Sequence, residues 1–186
     1  MKKISLFAML LLASWSFQSC GNNDASKDAV EKAEDKNDAN TAVKEDDSKF
    51  VVEAGNGGMM EIQAGQLAQQ KGVNPRVKAF GAMLVADHTK VGDELKALAA
   101  TKNITVPAIL GEDQQKHIND LQKVTGKDFD KEYMSMMVDD HKKDISAFED
   151  ASNKGSDADI KSFASKTIPT LKMHLDSAQA IKDALK

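Results

Sequence analysis

Asn74-Pro75-Arg76-Val77-Lys78-Ala79-Phe80-Gly81-Ala82-Met83-Leu84-Val85-Ala86-Asp87-His88 opens a helix and fixes one of its faces. Asn74 suits an N-cap, where its side chain can accept from a first-turn N–H. Pro75 suits the first helical position, where an N–H has no partner anyway. Val77, Phe80, Leu84, His88, Val91, Leu95 and Leu98 then recur in steps of three and four. That spacing places side chains on one side of an α-helix, so a helix is predicted from Pro75 to about Thr101. One member of its apolar stripe is a histidine.

The same periodicity extends in both directions. A helix is expected from about Asp47 to Lys71, stopped by Gly72, with Phe50, Ala54, Gly58, Glu61, Gly65 and Ala68 on its stripe. Another runs from about Lys127 to Asn153, with Phe129, Tyr133, Met137, His141, Ile145 and Phe148 on one side and Gly155 as its stop. A last one runs to about Leu185 along Ile160, Ala164, Thr167, Leu171, His174, Ala178, Ile181 and Leu185. Ser156 with Asp159 resembles a capping box that opens it. Pro169 lies inside this helix and is expected to kink it. The connection from Asn103 to Gly126 is long and holds a short helix from about Glu112 to Val124. The tight turns at Gly72 and Gly155 make two antiparallel hairpins. The expected fold is therefore all-α: a ferritin-like four-helix bundle of residues 47–186, two antiparallel hairpins joined by a long crossover containing a short helix.

Upstream, the pattern is that of an exported lipoprotein. Lys2 and Lys3 precede an apolar run from Ile4 to Phe17, too short for a membrane span and the right length for a signal-peptide core. Phe17-Gln18-Ser19-Cys20-Gly21 resembles a bacterial lipobox, with Phe where Leu is usual. Residues 1–19 are expected to be removed and Cys20 to carry the lipid, so the protein is expected in the bacterial envelope, at the outer membrane rather than the inner. Cys20 is the only cysteine, which excludes an intramolecular disulfide. Residues 20–46 are mostly Asn, Asp, Ala, Lys and Glu and are expected to form a solvated tether, with at most transient helix around Lys27 to Lys36. The formal charge of −4 becomes −6 without Lys2 and Lys3, which argues against a nucleic-acid partner. The membrane is the expected partner, through the lipid alone.

Three of the four histidines, His88, His141 and His174, fall on apolar stripes, and Glu61 holds the equivalent slot on the first long helix. Burying isolated imidazoles costs free energy, and burying a carboxylate costs far more. Several such groups directed at one axis can offset that cost by binding a transition metal, with Fe, Cu, Zn and Mn all open. Depth along the helices supports a meeting. Glu61 lies eleven residues before Gly72 and His88 sixteen after it, while His141 lies fourteen before Gly155 and His174 nineteen after. Asp144 is a further candidate. So are Asp87 and Asp140, through a shared Met-x-Val-x-Asp-His-x-Lys string at 83–90 and 136–143. Seven methionines from Met59 to Met173 would suit Cu(I), yet also serve as core filler. His117, in the crossover, is expected to face solvent. No catalytic residue is assigned.

The strings Phe50-Val51-Val52-Glu53-Ala54, Glu61-Ile62, Asn74-Pro75-x-Val77-Lys78-x-Phe80, Asp87-His88, Asp140-His141 and Ile168-Pro169-Thr170-Leu171 with His174 resemble an uncharacterised family of bacterial envelope proteins. That family is described as a domain of unknown function, or as outer-membrane proteins with a ferritin-like bundle. The resemblance implies fold more than function. The wider ferritin-like group implies a dinuclear iron site built on two Glu-x-x-His motifs. Here Val85 and Leu171 stand three before His88 and His174, so that motif is missing. Three functions stay open: a metal-binding envelope protein, a metal-free structural or interaction module, and a two-metal redox enzyme using Glu61 and Asp144.

Overall fold

The computed structural model describes residues 28–39 and 42–185. The expected signal peptide and Cys20 lie outside the described residues. Within them the chain forms six helices and no strand: α1 (Ala29–Asp38), α2 (Glu45–Lys71), α3 (Pro75–Thr101), α4 (Glu112–Lys123), α5 (Gly126–Lys154) and α6 (Ala158–Ala184). The four long helices and the short crossover helix match the periodicity, and the chain is a helical bundle. No helix among the described residues is long and apolar enough to cross a membrane.

Local chemistry sets the ends of these helices. Asn74 caps α3 by accepting from the Arg76 N–H at 2.8 Å, and Pro75 begins that helix. At α6 the cap is Asp157, which accepts from Asp159 and Ile160 at 2.9 and 3.1 Å. Ser156 was the expected cap. Its own N–H instead donates to the buried carboxylate of Asp47. Pro169 is accommodated on the exposed side of a continuous α6.

Two buried carboxylates fix how the long helices are arranged. Asp47, at the start of α2, accepts from Ser156 and Asp157 in the α5–α6 turn at 3.0 and 2.8 Å. Asp130, at the start of α5, accepts from Val73 and Asn74 in the α2–α3 turn at 2.9 and 2.7 Å. Each end of α2 therefore meets the opposite end of α5, so the two run antiparallel. At the end of α3, Lys102 pairs with Asp157 and Asp159 at the start of α6, both at 2.7 Å. The segment between α3 and α5, which contains α4, joins opposite poles of the molecule.

The interior has two apolar clusters. One surrounds Phe80, Leu84, Phe129, Tyr133, Met137 and Ile181. The other surrounds Val51, Leu95, Phe148, Ile160, Phe163 and Leu171. Between them on α3, α5 and α6 fall His88, His141 and His174, and beside Met60 on α2 falls Glu61. A polar layer thus divides the core.

The structure corrects two expectations. Residues 28–38, expected to be tether, include α1 with Ala33 and Asn37 buried. Asn37 accepts from the Thr105 N–H at 2.7 Å and donates to the Thr105 carbonyl at 2.9 Å. Asp28 caps α1 and also accepts from the Glu112 N–H at 2.9 Å. Polar hydrogen bonds dock this helix, so its low hydrophobicity did not signal it. On α2 the buried set is Asp47, Ser48, Val51, Val52, Asn56, Met60, Glu61, Ala64, Gly65 and Ala68, whereas Phe50, Ala54 and Gly58 of the expected stripe are only half-buried. The reason is that α2 packs against α1, α3, α4 and α5 at once.

α2 and α3 approach closely at Gly65 and Gly81. A Cβ built on either glycine would sit 2.7 Å from the other's carbonyl oxygen. Alanine is ordinarily favoured over glycine in a helix by about 0.5–1 kcal/mol. Gly81→Ala is nonetheless expected to lower stability by about 1–3 kcal/mol, because backbone has to move. Urea denaturation checks this, and a stabilised variant would show that the two helices can part freely.

Candidate metal centre

Each of the four long helices places one polar side chain in the dividing layer. Glu61, His141 and His174 are at most 1% exposed, and His88 is 6% exposed. The three imidazole rings lie with centroids 5.3–5.9 Å apart. One ring nitrogen from each histidine lies within 4.8 Å of the others. Ligands of a tetrahedral ion at about 2.0–2.1 Å are roughly 3.3–3.4 Å apart.

Each ring engages the protein through one nitrogen only. His88 Nδ1 lies 3.1 Å from Glu61 Oε2. His141 Nδ1 donates to the Met137 carbonyl at 2.9 Å. His174 Nε2 donates to Asp87 Oδ2 at 2.9 Å. The opposite nitrogens, His88 Nε2, His141 Nε2 and His174 Nδ1, are buried with no hydrogen-bond partner. His141 and His174 donate to a carbonyl and a carboxylate, so their opposite nitrogens carry lone pairs, and His88 matches them in the tautomer that donates to Glu61. Three buried lone pairs in one layer are costly when nothing answers them. One nitrogen held by a carboxylate or carbonyl, with the other free, is how protein-bound metals receive histidine.

Glu61 faces the Nδ1 edges of His88 and His141, the latter at 3.2 Å from Oε1. The His141 proton is already directed at Met137, so Oε1 is left without a hydrogen bond. Glu61 therefore sits where it can orient two rings, rather than among the free nitrogens. Asp87 does the same for His174 from α3. Asp140, its counterpart in the repeated string, does not: its buried Oδ2 has no partner. Asp144 lies beside Glu61 and His88 in the wall of a cavity.

Burial controls the protonation of the cluster. Desolvation, helped by the neighbouring His141 and His174, pushes His88 down to about 3. Desolvation and His174 push His141 down to about 4. His174 is lowered by burial too, against the opposing pull of Asp87. Glu61 is raised well above the usual carboxylate range by burial, then by Asp144 and Asp140. Asp144 is pushed up to about 7 by burial and Asp140. At neutral pH the imidazoles are uncharged and free to act as ligands.

Of the residues singled out by sequence, Glu61, His88, His141, His174 and Asp87 come together. His117 is exposed on α4. Sequence reasoning missed Tyr133 as a site residue. Its hydroxyl is buried and unpartnered, and burial with Glu61's charge raises it. Its place on an aromatic stripe gave no signal beyond core packing.

No curated protein matches the chain. A crystal structure of a DUF305 fragment from Deinococcus radiodurans superposes with a TM-score of 0.67 at 6% identity, over 76% of this chain and 98% of that one. At that identity the likeness speaks to fold alone. A family model described as "Domain of unknown function (DUF4142)" matches residues 32–181, from within α1 into α6. The chain belongs to this family of helical proteins of unknown function.

Proposed function

We propose that the bundle binds one transition-metal ion through His88, His141 and His174, and serves metal handling or stress tolerance in the bacterial envelope. The observation that carries this reading is the set of three buried, unpartnered imidazole nitrogens. Glu61 and Asp87 stand behind the rings and orient them. Three imidazoles suit Cu, Zn or Fe better than Mn, which favours oxygen ligands. The arrangement of the four long helices and the pole-to-pole segment around α4 support a ferritin-like bundle. It lacks the paired Glu-x-x-His motif, so a single ion is favoured over a dinuclear centre. The lipobox-like Phe17–Gly21 string supports a lipid anchor at Cys20, with the domain held at the outer membrane.

Isothermal titration of the metal-free protein with Zn²⁺, Cu²⁺ and Fe²⁺ tests the site. One equivalent is expected to bind, and each of His88→Ala, His141→Ala and His174→Ala should weaken binding at least 100-fold. Glu61→Gln should weaken it by about 10–100-fold, the range for a residue behind the ligands. Full-strength binding after loss of any two histidines would defeat the proposal.

The pH dependence of the metal-free protein follows from the shifted groups. In the unfolded chain, histidine titrates near ~6.5. Below that pH the unfolded chain takes up protons that folded His88 and His141 refuse until about 3 and about 4. The linked stability is complete above ~6.5 and is lost as the pH falls. Glu61 and Asp144 act in the opposite sense. Their raised carboxyls hold protons in the folded chain, so they cost stability as the pH rises from about 4 toward 7. Comparing variants separates the two. In chelated buffer, His88→Leu/His141→Leu should lose less thermal midpoint than wild type between pH 7 and pH 5. An equal loss would show that these histidines are not held neutral.

A further inference from the structure

A partly enclosed cavity of about 100 Å³ adjoins the polar layer on the side of the Leu95–Phe148–Leu171 cluster. His88 and His174, two of the rings with an unpartnered nitrogen, line it. Most of the remaining wall is apolar, and the exposed residues Thr89, Asp93 and Lys96 of α3 stand at its edge.

The room comes from glycines. Gly55, Gly57 and Gly58 on α2 and Gly92 on α3 all line the cavity. Glycine inside a helix is destabilising unless its missing side chain serves a purpose. At Gly65 and Gly81 the purpose is close backbone approach. These four have no such reason. A Cβ would lie 3.6 Å from Leu95 at Gly55, 4.0 Å from Asp144 at Gly57 and 3.9 Å from His88 Nδ1 at Gly58, and would meet nothing within 4 Å at Gly92. Side chains would fit there as ordinary contacts, and they would fill the cavity.

We propose that this cavity binds a small, uncharged, mainly apolar molecule and presents it to the ion on the His88–His174 side. At about 100 Å³ it is smaller than the dry cavity of about 150 Å³ that holds benzene, so it admits a diatomic up to a molecule no larger than one small ring. The Asp87 carboxylate and the mainly apolar lining disfavour an anion. The charge of the bound ion disfavours a cation. Contact with the ion rests on the metal reading above; occupancy of the cavity does not.

The test has two arms. In the first, metal-free protein is placed under xenon, and methyl resonances are followed by NMR. Shifts are expected at Val91, Leu95 and Leu171. They should vanish in Gly55→Leu/Gly58→Val and in Gly92→Leu, the latter kept as the variant least exposed to misfolding. Gly58→Ala should raise the thermal midpoint. No response at those methyls, or an undiminished one in a folded filled variant, would overturn the proposal. In the second arm, cobalt(II)-loaded protein is titrated with pyridine and with azide at pH 8. Pyridine should alter the visible spectrum at concentrations at least tenfold below azide, and filling the cavity should abolish this. Equal or better response to azide would overturn the assigned ligand class. A protein that takes no cobalt would defeat the metal reading, while the xenon arm still decides the cavity.

Discussion

Three imidazoles and a carboxylate are buried between two apolar clusters, and the cost of desolvating them governs the rest of the structure. An unanswered polar group in such a place costs on the order of 1–3 kcal/mol, and a charge costs more. The protein reduces that cost in the ways the geometry shows. Both groups shift toward their neutral forms: the histidines are lowered and Glu61 is raised. One nitrogen of each ring is then given a partner, from Glu61, the Met137 carbonyl or Asp87. Three lone pairs are left over. A single metal ion would answer all three at once, and the proposed site rests on that.

The surrounding structure serves the placement of that layer. Asp47 and Asp130 tie the ends of α2 and α5 to the turns of the opposite hairpin. These ties fix the axial register of the two hairpins, and with it the level at which Glu61 and His88 face His141 and His174. A shift of one residue along either helix would move a ring by about 1.5 Å and turn it by about 100°. Close packing at Gly65 and Gly81 sets the spacing between α2 and α3. Away from that contact, the glycines of α2 leave open space beside the rings.

Much of this was legible in the sequence, because helical periodicity and ligand chemistry act on the same positions. A histidine at a slot meant for Leu or Val stands out, and three of them on separate helices defined the layer. Counting from Gly72 and Gly155 gave their common depth. What the sequence could not convey was which edge of a ring faces which neighbour. Spacing assigns a side chain to a helix face, but not its torsions, so it could not show that the Glu61 carboxyl lies beside the Nδ1 edges of His88 and His141. Asp87 lies about 100° around the helix from His88, and only the packing of α3 on α6 shows that it serves His174. α1 escaped notice for a related reason. Asn37 and Asp28 dock it through hydrogen bonds to a loop and a helix start far along the chain, and composition carries no trace of such bonds.

The central claim is that His88, His141 and His174 share one ion. X-ray absorption on protein loaded with one equivalent of zinc tests it most directly, because it counts ligands and identifies imidazole by its outer-atom scattering. The account predicts three imidazole nitrogens at about 2.0–2.1 Å, with the fourth position filled by a light oxygen or nitrogen donor. A zinc shell containing one imidazole or none would contradict it.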